Sequence, residues 1–294
     1  MKTCVGVKWL KPTFRKVNAA RCRTRYCPGI GPGSVKEMTH LAASTLDRRR
    51  ARKKLRAANG MTRHGLFIVG TDTAVGKTFV AARIASALTQ TGLRVGVYKP
   101  AASSCRRVGR KLVSDDALAL WEAAGRPGAL AAVCPQRFAA PLAPHLAAKE
   151  ERKEIDSRRL RKGLDYWRRR SDVVIVEGAG GLMSPMGEQD YVADLASEFG
   201  FPLIVVAPNR IGAINSTLLT LIAAAARPQP LLIAGIVLND VLPPGCEDPA
   251  VVSNRMELEL RCVPPVVTQL GHHASDFGSP VNWLELARMS TIAE

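Results

Sequence analysis

The stretch GLFIVGTDTAVGKTF, residues 65–79, decides the fold of this chain. Its first part, residues 65–70, is an apolar run that ends on glycine, which is typical of a buried strand in a parallel sheet. The following residues, 77–92, repeat apolar side chains at helical spacing and finish on Gly92, a helix stop signal. The stretch therefore predicts a strand, a glycine-rich turn and a helix in direct succession.

The turn has the pattern of a loop that binds nucleotide phosphates, with one residue more than usual. Such a loop has four residues between its first glycine and the Gly-Lys-Ser/Thr group, whereas five residues separate Gly70 from Gly76. Backbone N–H groups at the start of the helix bind phosphate, Lys77 reaches the outer phosphates, and the Thr78 hydroxyl is a ligand for Mg²⁺. The alternative is a strand–helix turn that is merely rich in glycine and threonine.

The positive charge of the chain is concentrated in its first 60 residues. The whole chain of 294 residues carries a formal net charge of +17, but residues 1–60 hold 16 Lys or Arg against two acidic residues. The body, residues 61–294, is close to neutral and is predicted to form one domain. Three interpretations of the leader, which we expect to be disordered, stay open: a targeting segment, a nucleic-acid-binding arm, or a sequence upstream of a true start at Met61.

The cysteines and the apolar runs indicate a cytoplasmic protein without a membrane span. The four cysteines of the body are scattered without metal-like spacing, which suits free thiols in a reducing compartment. No apolar run approaches the length that a membrane span needs. Three cysteines lie in the leader and four in the body: Cys4, Cys22, Cys27, Cys105, Cys134, Cys246 and Cys262.

The body alternates between strand-like and helix-like segments. Continuous Val/Ile/Leu runs separated by helices predict an α/β fold, a single phosphate-loop NTPase-like domain with a mostly parallel sheet and helices on both faces. The predicted strands lie within 65–70, 93–100, 171–181, 201–209, 231–240 and 264–271, the third of them ending at Glu177. The predicted helices lie within 77–92, 114–125, 149–170, 194–200, 213–226, 249–261 and 282–289, with loop and short helix over 126–150.

Ligand-type residues stand at the carboxyl ends of these strands, where parallel sheets bind ligands. They are the loop Gly70–Thr78 and the side chains of Lys99, Glu177, Asn209 and Asn239.

Four charged residues have specific interpretations. Glu177 is predicted to hold Mg²⁺ directly or through water, the alternative being a helix cap or a solvated carboxylate. The helix over 114–125 is predicted to have Ser114 or Asp115 at its start as the cap. Asp115 and Asp116 open it, and we expect one of them to act as a cap and the other to reach the metal. Lys99, at a strand end before Pro100, is predicted to bind an anion, although it could be an ordinary surface lysine.

Taken together, the motifs resemble those of dethiobiotin synthetase. The stretches GTDTAVGKT, YKPAAS, SDDALAL, VEGAGGLMSP, INSTLLT and LNDVLPPG stand in that family's order, over about residues 66–270. A phosphate loop longer by one residue is itself a mark of the family. The resemblance implies ATP-dependent carboxylation of 7,8-diaminononanoate with CO₂ and closure to dethiobiotin, with release of ADP and phosphate. It also implies bound Mg²⁺ and a homodimer with a shared active site.

The resemblance also implies roles for individual residues. Catalysis would use Lys77, Lys99 and Thr73, and the metal would be held by Thr78, Asp116 and Glu177. Ser103 would bind the diamine or its carbamate, and Asn215 of a neighbouring subunit would bind the substrate carboxylate, with Asn239 reading adenine. The implied ATP-binding set is Thr73, Ala74, Val75, Gly76, Lys77, Thr78, Asp116, Glu177, Gly178, Ala179, Gly180 and Asn239.

Some positions depart from the family pattern. Ala74 stands where the family commonly has glutamate, so a carboxylate contact to the nucleotide is missing. His272 and His273 replace the usual Leu-Gly-x-Ile/Val-Pro pattern beside the expected adenine position. Ala143 stands where a hydroxyl is common, and His145 is interpreted as structural rather than catalytic.

Three other functions compete with a synthetase. An ATPase switch of the partitioning or cell-division type would carry an additional lysine early in the loop, where this chain has the sequence Thr-Asp-Thr. A cobyrinate-type amidotransferase would need a glutaminase domain, for which no room remains after residue 240. Nucleic-acid binding through the leader is disfavoured by the near-neutral body.

Overall fold

A computed structural model describes residues 60–245 and 248–290. The basic leader, with its expected disorder, and Cys246 lie outside the described residues.

The central feature is a six-stranded sheet in which every neighbouring pair of strands is parallel. Its strand order is β10-β9-β8-β1-β7-β2, which contains all six predicted strands. A two-stranded parallel ribbon (β3 and β6) and an antiparallel hairpin (β4 and β5) stand apart from it. The strands are β1 Gly65–Gly70, β2 Val95–Tyr98, β3 Ala101–Ala102, β4 Arg106–Val108, β5 Lys111–Val113, β6 Gln136–Arg137, β7 Val173–Gly181, β8 Leu203–Pro208, β9 Ile233–Asn239 and β10 Val266–Leu270.

Nine helices accompany these strands in the described part of the chain. They are α1 Lys77–Gln90, α2 Asp115–Ala123, α3 Leu130–Val133, α4 Pro144–Glu150, α5 Ser157–Arg170, α6 Val192–Phe199, α7 Ala213–Ala225, α8 Ala250–Arg261 and α9 Trp283–Leu286. In the same residues, none of the helices combines the length and the apolar composition that crossing a membrane requires.

The burial of the central strands shows that the sheet is covered on both faces. Every residue of β1, β2 and β8 is buried. Because successive side chains in a strand point to opposite faces, complete burial requires a packed layer on each side. The predicted fold class, an α/β domain with a parallel sheet and helices on both faces, is therefore confirmed.

The strand order places the phosphate loop at the centre of the sheet. β1 lies between β7 and β8. The connection after β1 runs to β2 at one edge of the sheet, whereas the connection after β7 runs in the opposite direction, to β8. Such a reversal opens a crevice at the carboxyl ends of the two strands, which is where ligands bind in open α/β sheets. The loop after β1 and the glycine-rich end of β7 therefore border the same crevice.

Two predicted boundaries were wrong. β7 does not end at Glu177 but continues to Gly181, where Gly181 pairs with Gly70 of β1 after a register shift. The helix predicted over 149–170 is two helices, because Asp156 caps the second one by accepting a hydrogen bond from the backbone N–H of Arg159 at 2.9 Å. A local side-chain cap thus overrides the charged helical pattern.

The ribbon and the hairpin were not predicted because they carry no strand signal of their own. β3 and β6 have two residues each, and β4 and β5 have three each, which are mostly charged and exposed. Such short strands are held by the elements around them rather than by alternating hydrophobicity.

We predict that a protein beginning at Met61 folds with an unchanged melting temperature, while one beginning at Gly65 is destabilised by about 2 kcal/mol. Thr62 is buried, its hydroxyl donates to the carbonyl oxygen of Asp172 at 2.9 Å, and its backbone N–H donates to the carbonyl oxygen of Arg168 at 2.8 Å. Thermal unfolding of the two truncated proteins beside the full chain tests this. Equal loss of stability in both truncations would show that the leader packs on the domain.

Candidate active site

The phosphate loop adopts a backbone conformation that requires glycine at one position. Gly76, just before α1, has a φ of 90°, in the left-handed region. A Cβ atom added there would lie 2.1 Å from Nδ2 of Asn239. Ala74 also has a positive φ, of 57°, which is uncommon for a residue with a side chain. The loop is therefore held in a tight shape by its own backbone and by the end of β9.

Lys77 lies inside the loop. Its side chain is largely buried, and Nζ donates a hydrogen bond to the carbonyl oxygen of Asp72 at 2.7 Å. Burial lowers the pKa of Lys77 to about 8, an effect that attraction from Glu177 opposes and repulsion from Lys99 reinforces. An anion beside this ammonium group would favour its charged form.

A buried carboxylate connects three predicted site residues. Oε1 of Glu177 accepts a hydrogen bond from the Thr78 hydroxyl at 2.7 Å and another from Nζ of Lys99 at 2.6 Å. The same ammonium group lies 2.6 Å from Oδ2 of Asp116. Glu177 is only 1% exposed and Lys99 only 4% exposed, so both groups are removed from water. Burial raises the pKa of Glu177, and attraction from Lys99 opposes that effect. The alternative interpretations of Lys99 as a surface lysine and of Glu177 as a solvated carboxylate were wrong.

The charges of this group depend on one another. Burial alone would lower the pKa of Lys99, but attraction from Glu177 and Asp116 outweighs it and the pKa is raised. Burial alone would raise the pKa of Asp116, and attraction from Lys99 reverses that effect so that the pKa is lowered. Lys99 and Asp116 therefore both remain charged at neutral pH.

The residues present fit a magnesium ion that is shared with a nucleotide. Oε2 of Glu177 is buried and has no hydrogen-bond partner among the described residues. Mg²⁺ is commonly bound through one or two carboxylates, with substrate phosphates and water completing its coordination. Thr78, Asp116 and Glu177 supply one hydroxyl and two carboxylates within a single hydrogen-bonded group. Groups of three His, Cys, Asp or Glu residues that could hold a metal without a substrate are absent from the described residues.

Of the caps predicted for α2, the structure has the serine and not an aspartate. Ser114 is the cap, and its hydroxyl oxygen accepts a hydrogen bond from the backbone N–H of Ala117 at 3.2 Å. Asp115 instead pairs with Arg106 of the hairpin at 2.6 Å. This arrangement directs Asp116 alone towards Lys99.

The glycine-rich end of β7 lies against the phosphate loop. Gly180 has a φ of 69°, and a Cβ atom added there would approach the Ser184 hydroxyl to 2.3 Å and the Thr73 hydroxyl to 3.6 Å. The Ser184 hydroxyl oxygen also accepts a hydrogen bond from the backbone N–H of Gly181 at 2.8 Å. The structure thus brings Thr73 close to the predicted stretch Gly178–Gly180. Ser184 was missed, and its position in the motif VEGAGGLMSP is the signal that could have found it.

Asn239 contacts the phosphate loop directly. It is buried at the end of β9, and its Nδ2 donates a hydrogen bond to the carbonyl oxygen of Val75 at 3.0 Å. Its Oδ1 is buried without a partner among the described residues. The ring of His272 lies 4.1 Å from that of His273, which in turn lies 6.2 Å from the ring of Phe79. The Oδ1 acceptor of Asn239 lies at the end of β9, and the rings of His272 and His273 follow β10 and approach Phe79.

Two predicted substrate residues have different positions in the fold. Ser103 directly follows β3 and is half-buried. Asn215 is exposed on the first turn of α7. No contact between Asn215 and the charged group around Glu177 occurs in the described part of this single chain.

The fold and the site define a phosphate-loop nucleotide-binding enzyme. The AAA domain family matches residues 64–274, so the match includes the loop, Glu177 and Asn239. An ATP-dependent dethiobiotin synthetase of Rhodopirellula baltica is 41% identical over 215 residues, which are 69% of this chain and 82% of that protein. Another from Anaeromyxobacter dehalogenans is 43% identical over 194 residues, 66% of this chain and 83% of that protein. The chain belongs to the dethiobiotin synthetase family and is an ATP-dependent ligase of biotin biosynthesis.

One solved structure illustrates a distant similarity of fold. A ParA family ATPase from Chlorobium tepidum is 15% identical and superposes with a TM-score of 0.44, covering 71% of this chain and 84% of its own. A likeness at this level supports no conclusion about function.

We predict that Lys99→Met destabilises the protein by about 3 kcal/mol at neutral pH, because it leaves the buried charge of Glu177 without its closest cation. Combining Lys99→Met with Glu177→Gln should recover most of that loss. Urea unfolding measures both. The control is Lys111→Met, which alters an exposed lysine and should change stability by less than about 0.5 kcal/mol. Additive losses in the double variant would contradict the predicted pairing.

Proposed function

We propose that the chain converts 7,8-diaminononanoate, CO₂ and ATP into dethiobiotin, ADP and phosphate. One amine of the substrate attacks CO₂ and loses a proton, which gives a carbamate. A carbamate oxygen then attacks the γ-phosphorus of ATP, forming a carbamic-phosphoric anhydride and releasing ADP. The neighbouring amine attacks the carbonyl carbon of the anhydride, phosphate leaves, and a five-membered cyclic urea results.

The observation that carries this proposal is the pair of buried lysines around Glu177. An anionic carbamate must approach a polyanionic triphosphate, and their repulsion has to be neutralised by fixed positive charge. Lys77 lies in the phosphate loop, and Lys99 ends the next strand along the chain, both shielded from water. Preorganised charges in such surroundings act more strongly than charges in solvent. Lys77 would serve the phosphates and Lys99 the carbamate oxygens.

Thr78, Asp116 and Glu177 would hold Mg²⁺, which supplies further neutralisation of the phosphate oxygens. The ammonium group of Lys99 contacts both carboxylates. It therefore orients the two proposed ligands before a nucleotide arrives, so that less reorganisation is needed on binding.

The remaining contacts would orient the two substrates. The Thr73 hydroxyl, beside Gly180, and the Ser103 hydroxyl would bind the diamine or its carbamate. Backbone N–H groups of Ala74 through Thr78 and of the Gly178–Gly180 stretch would bind the phosphates. Oδ1 of Asn239, buried without a partner among the described residues, would accept a hydrogen bond from the adenine amino group.

A homodimer belongs to the same proposal because Asn215 stands within an exposed apolar stripe. Leu219 and Ile222 are exposed at intervals that place them with Asn215 on one side of α7, and Ile222 is 63% exposed. Ile211 is also exposed, just before the helix begins. Apolar side chains aligned in this way are typical of a surface that a partner covers. Pairing through this stripe would carry Asn215 to the substrate carboxylate in the neighbouring copy.

The cellular setting that we propose is the cytoplasm. The cysteines of the described residues, Cys105, Cys134 and Cys262, are all free, as expected in a reducing compartment. The partners would be small molecules and a second copy of the chain rather than nucleic acid or membrane.

The experiment that tests the reaction follows ring closure directly. The full chain is incubated with ATP, Mg²⁺, bicarbonate and diaminononanoate, and the cyclic urea is detected by mass. Lys77→Ala should reduce its formation by about 10²–10³-fold, because one charge at the transferring phosphoryl group is lost. Absence of the urea with the unaltered chain, or a Lys77→Ala rate within a few-fold of it, would refute the proposal.

We predict that Glu177→Gln raises the Mg²⁺ concentration needed for half-maximal rate by about tenfold or more, with a smaller effect on diamine binding. The substitution keeps the size of the side chain but removes the charge that the metal needs. Titration of rate against Mg²⁺ at saturating substrates is the measurement. An unchanged half-saturation point would mean that Glu177 serves only to pair with Lys99.

We predict that Leu219→Glu converts a dimer into monomers that still bind ATP but form little dethiobiotin. A charge in the centre of an apolar interface opposes association. In a monomer, Asn215 cannot reach the substrate site of a neighbouring copy. Light scattering gives the mass and calorimetry gives ATP affinity. Val108→Glu, which introduces the same charge on the hairpin, is the control. A monomeric but active wild-type protein would rule out the shared site.

A further inference from the structure

The carboxyl ends of three neighbouring strands are joined by a group of amide and carboxylate side chains. Asn209 follows β8, Asp240 follows β9, Gln269 lies in β10, and Asn254 comes from α8. We call these four residues the amide network. Asn209 and Asn254 are each 1% exposed, so the network reaches into the interior. Buried polar groups of this kind are retained only where their hydrogen bonds are made.

The bonds of the amide network form a continuous chain. Asp240 accepts a hydrogen bond from Nδ2 of Asn209 at 2.6 Å and bonds from Nε2 of Gln269 at 2.9 and 3.0 Å. Oδ1 of Asn209 accepts from Nδ2 of Asn254 at 3.0 Å, and that nitrogen also donates to the carbonyl oxygen of Arg210 at 3.1 Å. Each amide therefore has a partner on a different element of the fold.

The orientations of these amides follow from their partners. A carboxylate and a backbone carbonyl can only accept hydrogen bonds, so the atoms that face Asp240 and Arg210 must be amide nitrogens. This fixes Oδ1 of Asn209 towards Asn254. In this network the amide nitrogens of Asn209, Gln269 and Asn254 donate. The accepting oxygens are those of the Asp240 carboxylate, the Asn209 side chain and the Arg210 backbone.

The network adjoins the residue that contacts the phosphate loop, because Asp240 directly follows Asn239 and backbone bonds join both to the neighbouring strand ends. The backbone N–H of Asn209 donates to the carbonyl oxygen of Asn239 at 2.6 Å, and the backbone N–H of Asp240 donates to the carbonyl oxygen of Leu270 at 2.8 Å. The peptide between Asn239 and Asp240 is thus clamped from both neighbouring strands. With its backbone fixed, Asn239 directs Nδ2 to Val75, and Oδ1 is left as a buried acceptor without a partner in the described residues.

We propose that the amide network is a positioning unit that acts through Asn239 and makes the site select nucleotides whose base has an amino group, and not an oxo group, at the purine 6 or pyrimidine 4 position. This rests on the proposed function in so far as a nucleotide occupies the phosphate loop. A fixed acceptor at Oδ1 matches the amino group of adenine or cytosine. An oxo group at the same place, as in guanine or uracil, would set two acceptors against each other and leave both unpaired.

The alternative is that the network only stabilises the strand ends. The two roles differ in what they predict for ligands without a base. A positioning role affects the discrimination between ATP and GTP and leaves inorganic tripolyphosphate binding unchanged, because that ion uses the loop alone. A merely structural role would weaken all three ligands together.

Gln269→Glu is the variant of choice because Gln269 is half-buried and its replacement keeps the same length. The new carboxylate removes both bonds to Asp240 and repels it. Val267→Ala on the same strand, at a half-buried position outside the network, is the matched control. Asn209→Ser provides a second variant within the network. Melting temperatures and calorimetric Kd values for non-hydrolysable ATP and GTP analogues and for tripolyphosphate, all with Mg²⁺, are measured on the full chain.

We expect Gln269→Glu to reduce the preference for the ATP analogue over the GTP analogue by about tenfold, the scale of a lost hydrogen bond to a charged group. Tripolyphosphate affinity should stay within threefold, and Val267→Ala should keep the wild-type preference. In an Asn239→Ala background, Gln269→Glu should have no further effect on selectivity.

Three results would overturn the inference: no preference in the wild type, an unchanged preference in both folded network variants, or equal loss for tripolyphosphate. A full effect of Gln269→Glu in the Asn239→Ala background would also overturn it. None of these binding measurements depends on ring closure. A chain that forms no dethiobiotin but shows the selectivity pattern would refute the proposed reaction alone.

Discussion

The buried carboxylate of Glu177 is the interaction on which the rest of the site depends. A lone carboxylate in this position would cost several kcal/mol in lost hydration. It is accommodated because Lys99 and Thr78 both donate to the same oxygen. Those donors come from the end of β2 and the start of α1, so satisfying one charge fixes three elements relative to one another. Asp116 adds α2 to the group through Lys99.

The parallel sheet makes this convergence possible. β7 lies between β1 and β2, so a residue in β7 has the phosphate loop on one side and Lys99 on the other. The continuation of β7 past Glu177 then brings Gly181 beside Gly70. Glycine is needed at Gly70, where an added Cβ atom would lie 2.7 Å from the carbonyl oxygen of Asp72 in the loop. The site is therefore a consequence of strand order together with the absence of side chains at a few positions.

The sequence predicts the fold well because its signals are local. Each of the six core strands has its own Val/Ile/Leu run, and the residues that end them could be named as site candidates, including Glu177 and Lys99. What could not be predicted depends on partners distant in the chain. The ion pair of Asp116 with Lys99 joins α2 to the end of β2, and the bond from Asn239 to Val75 spans elements that only the sheet brings together. Spacing alone does not reveal such contacts.

The longer phosphate loop can be understood from the bonds inside it. Carbonyl oxygens of the loop accept hydrogen bonds from Lys77, at Asp72, and from Asn239, at Val75. Five residues between Gly70 and Gly76 provide enough backbone for two carbonyls to turn away to these donors. The cost is strain, since Ala74 has a left-handed backbone that disfavours any side chain by about 1–2 kcal/mol. Lys77 and Asn239 hold that strained shape from opposite ends of the loop, which is the kind of preorganisation that the proposed phosphoryl transfer would use.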